Sequence, residues 1–284
     1  MGSIPHGTGG RSIKTLYITD LDGTLLNNNA RLSETSAEIL NRLLEKGLLF
    51  SVATARSVVT VAPILQQLPM TLPAVLMNGV YLSTLNCDFV RFERYRPDTA
   101  ERVIKAFEEN GRPPFVFSVV DNEIGVEYRQ LQNEADREFH NDRVERYKSF
   151  VKVDAFRVTD DVIYVNAVDN EEVIRPVYEE VMTIDGVTAV MYKDVYTDYW
   201  FLECFSSAAS KINGALFLKQ LTGADRIVAF GDNLNDKALL EGADVAVAVA
   251  NAKEEIKKIA DFVIDSNEDN GVARFIEKDF HSKP

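Results

Sequence analysis

The apolar positions of the chain change their rhythm twice. From Thr15, short β-rich runs alternate with stretches of helical period. "TLYIT" predicts a strand, and "SETSAEILNRLLEKG" a helix that starts at the capping residue Ser33 and stops at Gly47. Ile39, Leu40, Leu43 and Leu44 share one face of it. "LLFSVAT" predicts a second strand, "SVVTVAPILQQL" a helix in spite of Pro63, and "AVLMNG" a third strand ending at Asn78-Gly79. Strand and helix in strict alternation predict a parallel sheet with right-handed crossovers.

From about Cys87 to Phe205 the rhythm differs. "PFVFSVVDNEIGVEY" predicts a hairpin about Asp121-Asn122, and "DVIYVNAVD" and "VTAVMYKDVYTDYWFLECF" are further strand-rich stretches. Between them lie two polar helices, "QLQNEADREFHNDRVERYK" and "NEEVIRPVYEEVM". After Phe205 alternation resumes. "SKINGALFLKQLTG" is a helix with Ile212, Ala215, Leu216 and Phe217 expected inward; "RIVAFG", "VAVAVA" and "FVI" are strands, separated by the helices "NDKALLEGA" and "AKEEIKKIA". The expected fold class is α/β: a doubly wound, Rossmann-like parallel-sheet core with an inserted α+β domain as a lid. The expected boundaries are 13–86 plus 206–284 for the discontinuous core and 87–205 for the insertion. Residues 1–12, Gly-rich and without the apolar centre of a signal peptide, are expected to be a disordered tail.

Composition narrows the function. A formal charge of −13 argues against partners that need a basic footprint, nucleic acid or an anionic membrane. No apolar run approaches the length of a membrane span. Two cysteines, Cys87 and Cys204, make neither a disulfide framework nor a zinc cluster, and fit reduced thiols in a cytoplasmic protein.

The candidate chemistry lies at strand ends. Asp20 and Asp22 follow the first strand one residue apart, so in an extended segment both carboxylates point to one side at its carboxyl end. Open α/β sheets bind ligands at that edge. Mg²⁺, a hard cation that takes oxygen ligands, would cancel their repulsion. Asp22-Gly23 is also a hairpin-turn dipeptide, and two solvated turn carboxylates are a further bland reading. A calcium loop would need Gly and Glu where Leu25 and Arg31 stand. A second cluster, Asp232, Asn235 and Asp236 in "FGDNLNDK", follows another strand; Asp236 could equally be a helix cap. Thr54 sits at a strand-to-helix turn, where a hydroxyl and free N–H groups make an anion cradle, though threonine is also a common cap. Lys211 opens a helix where the chain re-enters the core, against the ordinary expectation of a solvated lysine.

Asp-x-Asp-Gly-Thr-Leu, Thr54, Lys211 and Gly-Asp-x-x-Asn-Asp, in that order, resemble the four motifs of the haloacid dehalogenase superfamily. The large insertion resembles the type IIB cap of its Cof-like, magnesium-dependent phosphatases. The resemblance covers nearly the whole chain after about Ser12. It implies Asp20 as nucleophile, Asp22 as general acid and base, Thr54 as holder of the phosphoryl oxygens and Lys211 as charge neutraliser. It implies Mg²⁺ held by Asp20, Asp232 and the main-chain carbonyl of Asp22, with Asn235 and Asp236 positioning the phosphate and the metal shell. Asn78-Gly79 resembles a step near the substrate. Two departures stand out: Ala55 before Arg56 where the subgroup has glycine, and "SAAS" before Lys211. The Ala55 methyl could narrow the phosphate entry and shift substrate choice.

The resemblance implies a phosphoric monoester hydrolase working through an aspartyl phosphate on small phosphorylated metabolites, sugar phosphates first, with pyridoxal phosphate or flavin mononucleotide as other options. Arg129, Tyr192, Asp198, Tyr199 and Trp200 in the insertion are candidates for reading the leaving group. The same scaffold would also serve a sugar phosphomutase or a non-catalytic regulator. The chain is expected as a monomer or homodimer.

Overall fold

The structure, a computed structural model, describes residues 13–147, 149–193 and 197–281. The expected tail at residues 1–12 lies outside the described residues. The chain divides into two compact units. The first holds the described residues up to Thr54, Pro63–Ala74 and those from Ala215 onward; the second holds Ala55–Ala62 and Val75–Gly214.

The first unit is built on a five-stranded sheet in the order Phe262–Ile264, Val245–Val249, Arg226–Gly231, Thr15–Thr19, Leu49–Val52. Every pairing is parallel. The Thr15–Thr19 strand is buried throughout, as a parallel sheet covered on both faces requires. Its last residue, Thr19, stands opposite Phe230 on one side and Val52 on the other, so three strands end together. The strand order reverses at this N-terminal strand, the place where doubly wound sheets open a crevice. The helix Glu34–Glu45 starts as expected: the Ser33 side chain accepts from the Ser36 N–H, and Leu40 and Leu43 are buried. The C-terminal helix Gly271–His281, with no counterpart in the sequence reading, packs against it.

Two local expectations need correction. The third strand, Ala74–Leu76, pairs with Tyr81–Ser83 in a separate three-stranded sheet completed by Phe89–Phe92, rather than extending the parallel sheet. The strand is three residues long, Pro73 before it has no N–H to offer, and the Pro73 carbonyl takes its hydrogen bond from the Ser51 hydroxyl at 2.7 Å. In the helix Lys211–Thr222, Leu216 is 47% exposed and Leu218 is buried instead. The buried stripe runs through Lys211, Gly214, Ala215 and Leu218, and the pattern of apolar positions misleads because a lysine and a glycine occupy two of its places.

The second unit centres on a six-stranded sheet in the order Val187–Lys193, Trp200–Ser206, Val162–Asp169, Phe115–Val120, Glu123–Tyr128, Ser149–Lys152. All pairs are antiparallel except the last, so the sheet is mixed. The hairpin turns where expected: Asp121 and Asn122 both have positive φ, 51° and 61°, the twist of a type I′ turn. Helices Pro97–Glu109 and Glu171–Val181 bury Val103, Ile104, Phe107, Ile174 and Val177 with Val116, Val165, Leu202 and Cys204 of the sheet. Arg112, 1% exposed, ties this unit together: it pairs with the fully buried Asp136, with Asp169 at 2.9 Å, and donates to the Val168 carbonyl at 2.8 Å.

Candidate active site

In the first unit the site grows from the end of the Thr15–Thr19 strand. Asp20 continues the sheet by one bond, its N–H donating to the Phe230 carbonyl at 3.0 Å, and is 5% exposed. The Ala53 N–H donates to the Thr19 carbonyl at 2.8 Å, which brings Thr54, 1% exposed, to the same edge. Asp22 keeps an extended backbone (φ −74°, ψ 121°) and is exposed.

Gly23 follows with φ +75°, and a Cβ on it would stand 2.6 Å from the Asp232 carboxylate. Only glycine lets this loop press on that group. The Thr24 hydroxyl donates to Asp232 Oδ1 at 2.9 Å. Asp236 is fully buried, and its Oδ2 accepts the N–H groups of Asp232 at 3.1 Å and Asn233 at 3.2 Å. It therefore does serve as a cap, closing a capping box with Asn233. That role also fixes its orientation. A Cβ on Gly231 would come within 2.6 Å of the Asp236 Cβ, so this strand end also admits no side chain. Asn235 is exposed on the same turn.

The result is one carboxylate oxygen each from Asp20, Asp232 and Asp236, all within 4.8 Å of one another. Three like charges at that spacing, two of them on buried residues, call for a cation. The donor set is all carboxylate oxygen, which suits a hard divalent ion over a soft one. The cluster can hold a divalent metal.

A supporting chain of amides was not foreseen. The Asn251 side chain donates to the Gly23 carbonyl at 2.7 Å and accepts the Asn267 N–H at 3.1 Å. Asn267 in turn donates to the Leu26 carbonyl at 2.9 Å, and the Lys253 N–H donates to the Asp232 carbonyl at 2.9 Å. The available signal was position: Asn251 follows the Val245–Val249 strand, again at a carboxyl end.

The remaining predicted residues belong to the second unit, which gathers them separately. The Met77 N–H donates to the Arg56 carbonyl at 3.0 Å, setting the Asn78-Gly79 step beside Arg56. Asn78 has φ +56° and Gly79 φ +96°; a Cβ on Gly79 would lie 2.4 Å from the Ser210 carbonyl oxygen. Lys211, the next residue, is 3% exposed and begins its helix as predicted. Ala55 is exposed. Among the leaving-group candidates, Arg129 pairs with Glu108 at 2.6 Å and Asp198 with Lys193 at 2.9 Å. Trp200 packs on the apolar core, and the Tyr192 hydroxyl donates to Glu203 at 2.8 Å. Burial pushes the Glu203 carboxyl above its usual range, although the Tyr164 and Tyr192 hydroxyls oppose it.

A family profile described as haloacid dehalogenase-like hydrolase matches residues 17–276. The chain belongs to that family. It is 28% identical over 280 residues to 5-amino-6-(5-phospho-D-ribitylamino)uracil phosphatase YitU of Bacillus subtilis, covering 93% of this chain and 97% of that one. It is 26% identical to the pyridoxal phosphate phosphatase YbhA of Escherichia coli, over 90% and 95% of the two chains. A solved haloacid dehalogenase-like hydrolase from Bacteroides thetaiotaomicron shares the fold, with a TM-score of 0.72 at 22% identity over 94% of this chain and all of that one. The resemblance read from the four motifs therefore holds. So does the fold class, an α/β parallel-sheet core with an inserted mixed sheet. The enzyme is a phosphatase of the haloacid dehalogenase superfamily.

Proposed function

We propose that the chain is a Mg²⁺-dependent phosphomonoesterase that hydrolyses small phosphorylated metabolites, sugar phosphates first, through an aspartyl phosphate. The observation that carries this reading is the meeting of the Asp20, Asp232 and Asp236 carboxylates within 4.8 Å at the carboxyl edge of a parallel sheet. In the first step Asp20 Oδ attacks phosphorus, the bond from phosphorus to the ester oxygen breaks, and Asp22 gives its proton to the departing alkoxide. In the second, Asp22 takes a proton from water, which attacks phosphorus, and the bond to Asp20 breaks to release inorganic phosphate. Two displacements replace one harder step.

Phosphoryl transfer asks mainly for position and for positive charge about the equatorial oxygens. Asp20, Asp232, Asp236 and the main-chain carbonyl of Asp22 would hold Mg²⁺, which when bound neutralises charge and orients the phosphate. Lys211 and Arg56 add positive charge, and Thr54, Asn235 and the N–H groups near Ala55 and Asn78-Gly79 hold phosphoryl oxygens. We assign the core domain to 13–86 plus 206–284 and the cap to 87–205, and place the enzyme in the cytoplasm. Among the described residues no helix is long and apolar enough to cross a membrane.

A second substrate reading is phosphate esters that carry a heteroaromatic ring, favoured by the names of the two relatives above. The test is phosphate release from a panel of sugar phosphates, pyridoxal 5′-phosphate, flavin mononucleotide and p-nitrophenyl phosphate, with Mg²⁺ and with a chelator. Release that needs Mg²⁺ is expected. Release that persists in chelator, or none from any ester, overturns the proposal; isomerised sugar phosphate in place of free phosphate would mark a mutase.

A further inference from the structure

The turn that follows the Val245–Val249 strand takes no part in the proposed chemistry, yet it grips both halves of the carboxylate cluster in the first unit. Asn251 is exposed, but both ends of its side chain are committed to main chain. Its Nδ2 donates to the Gly23 carbonyl at 2.7 Å, and its Oδ1 accepts the Asn267 N–H at 3.1 Å. Two residues on, the Lys253 N–H donates to the Asp232 carbonyl at 2.9 Å. One short stretch thus holds the turn after Asp22 and the loop that carries Asp232. The stretch is itself anchored. Ala252 is buried, and its N–H donates to the Val249 carbonyl at 2.9 Å. The buried Asn267 donates from Nδ2 to the Leu26 carbonyl at 2.9 Å and to Asn28 Oδ1 at 3.2 Å. The bonds close a ring, from Gly23 through Asn251 and Asn267 back to Leu26.

Gly23 is the point where such a grip matters. Glycine has the most permissive backbone of any residue, so its own sterics leave the direction of its carbonyl open. The peptide before it carries the Asp22 carbonyl. The peptide after it carries the Gly23 carbonyl that Asn251 holds, and it leads to Thr24, whose hydroxyl donates to Asp232 Oδ1 at 2.9 Å. A peptide is planar, so fixing the Gly23 carbonyl also fixes the start of Thr24. Meanwhile the Asp20, Asp232 and Asp236 carboxylates, within 4.8 Å of one another, repel and favour spreading of the loops that bear them. The Asn251 and Lys253 bonds oppose that spreading.

We infer that Asn251 is a positioning residue for the metal: it holds the Asp22-Gly23 turn against Asp232, so that the oxygens of both loops are in place before a cation arrives. The inference rests on the metal-dependent phosphatase reading and adds to it a residue outside the four motifs. A site held ready loses less freedom on binding, and binds more tightly for it. Asn251→Asp separates position from charge. The carboxylate keeps an acceptor for the Asn267 N–H but has no donor for the Gly23 carbonyl. It also adds a negative charge beside a cation site, which by Coulomb attraction alone would tighten binding. Positioning predicts the reverse.

The test needs no turnover. Mn²⁺ takes the same carboxylate and carbonyl oxygens as Mg²⁺, and the free ion gives a paramagnetic resonance signal that falls on binding. It is titrated into the full chain, stripped of metal with a chelator, with no substrate present. Asn251 is exposed, so its variants are expected to fold, and thermal unfolding of the metal-free proteins checks that they do. The Mn²⁺ Kd is expected to rise about tenfold in Asn251→Ala and in Asn251→Asp, the low end of the effect of groups that orient metal ligands. A brace that served stability alone would lower the unfolding temperature and leave the Kd of the folded protein where it was. A rise of less than about threefold in Asn251→Ala, or binding by Asn251→Asp as tight as wild type or tighter, overturns the positioning role and leaves the metal reading standing. Wild-type protein that binds no Mn²⁺ removes the metal reading itself, and this inference with it.

Discussion

Single atoms decide most of what happens at the candidate site. Asp20 is buried at a strand end while Asp22, two residues on, is exposed, so two carboxylates of one motif meet different surroundings. Asp20→Asn is expected to abolish turnover; a variant that keeps more than about a tenth of the wild-type rate would contradict a nucleophile. Asp22→Asn is expected to slow both steps and to accumulate phosphoenzyme, visible by intact-protein mass, with a loss of about 10²–10⁴-fold as for general acid–base groups elsewhere. Glycines set the second constraint. Gly79→Ala asks for φ near +96° and puts a Cβ 2.4 Å from the Ser210 carbonyl oxygen, next to Lys211. The expected cost is about 1–3 kcal/mol of stability, read by thermal unfolding, with a fall in activity beyond what the unfolded fraction explains. The carboxylates, Thr54 and Lys211 were legible as residue types at strand ends and helix starts. Asn251 and Asn267 were not, because a side-chain amide that braces a loop carries no spacing of its own.

Elements draw their stability from a few buried links. Arg112 and Asp136 are 1% and 0% exposed, and Asp169 completes the network. Arg112→Met leaves Asp136 buried without its cation, although burial already pushes that carboxyl up and the guanidinium opposes it. Breaking such a pair from one side costs about 3–5 kcal/mol, to be seen as a lowered urea midpoint for the second unit. Asp244 gives a pH signature in the first unit. Burial would raise its carboxyl, but hydrogen bonds from Lys219 Nζ and the Ile227 N–H, both 2.8 Å, outweigh that and hold it below the usual range. Its native-state pKa is thus lower than its unfolded one. The stabilisation is complete above the ordinary carboxylate range and is lost as pH falls through the depressed value. Asp244→Asn should flatten the acid limb of a stability–pH curve and leave the neutral region nearly level with pH. Helices with clear caps, such as Glu34–Glu45, were readable. Pro97–Glu109 and Gly271–His281 each bury an apolar face, and the Ala74–Leu76 strand joins a different sheet from the one its place in the chain predicts, because partner choice is not a local property.

Over the whole molecule, charge and metal are coupled. A chain at −13 repels phosphate at long range, a field screened beyond about 8 Å at physiological salt. Local cations must therefore decide binding, and Mg²⁺ should stabilise the folded state by mass action, about 2.7 kcal/mol at a hundredfold excess over its dissociation constant. Calorimetry should show Tm rising with Mg²⁺ for wild type and not for Asp232→Asn; an undiminished shift in the variant would sink the ligand assignment. What the sequence determined by itself is which groups the chain possesses and their local setting: apolar periodicity selects strand or helix, and turn chemistry fixes where carboxylates follow. Tertiary structure alone decided who meets whom. Thr24 and Asp232 lie 208 residues apart in the chain yet share a hydrogen bond. They meet because Thr15–Thr19 pairs with Arg226–Gly231, and buried parallel strands choose neighbours by packing on both faces of the sheet, a property no short stretch of sequence contains.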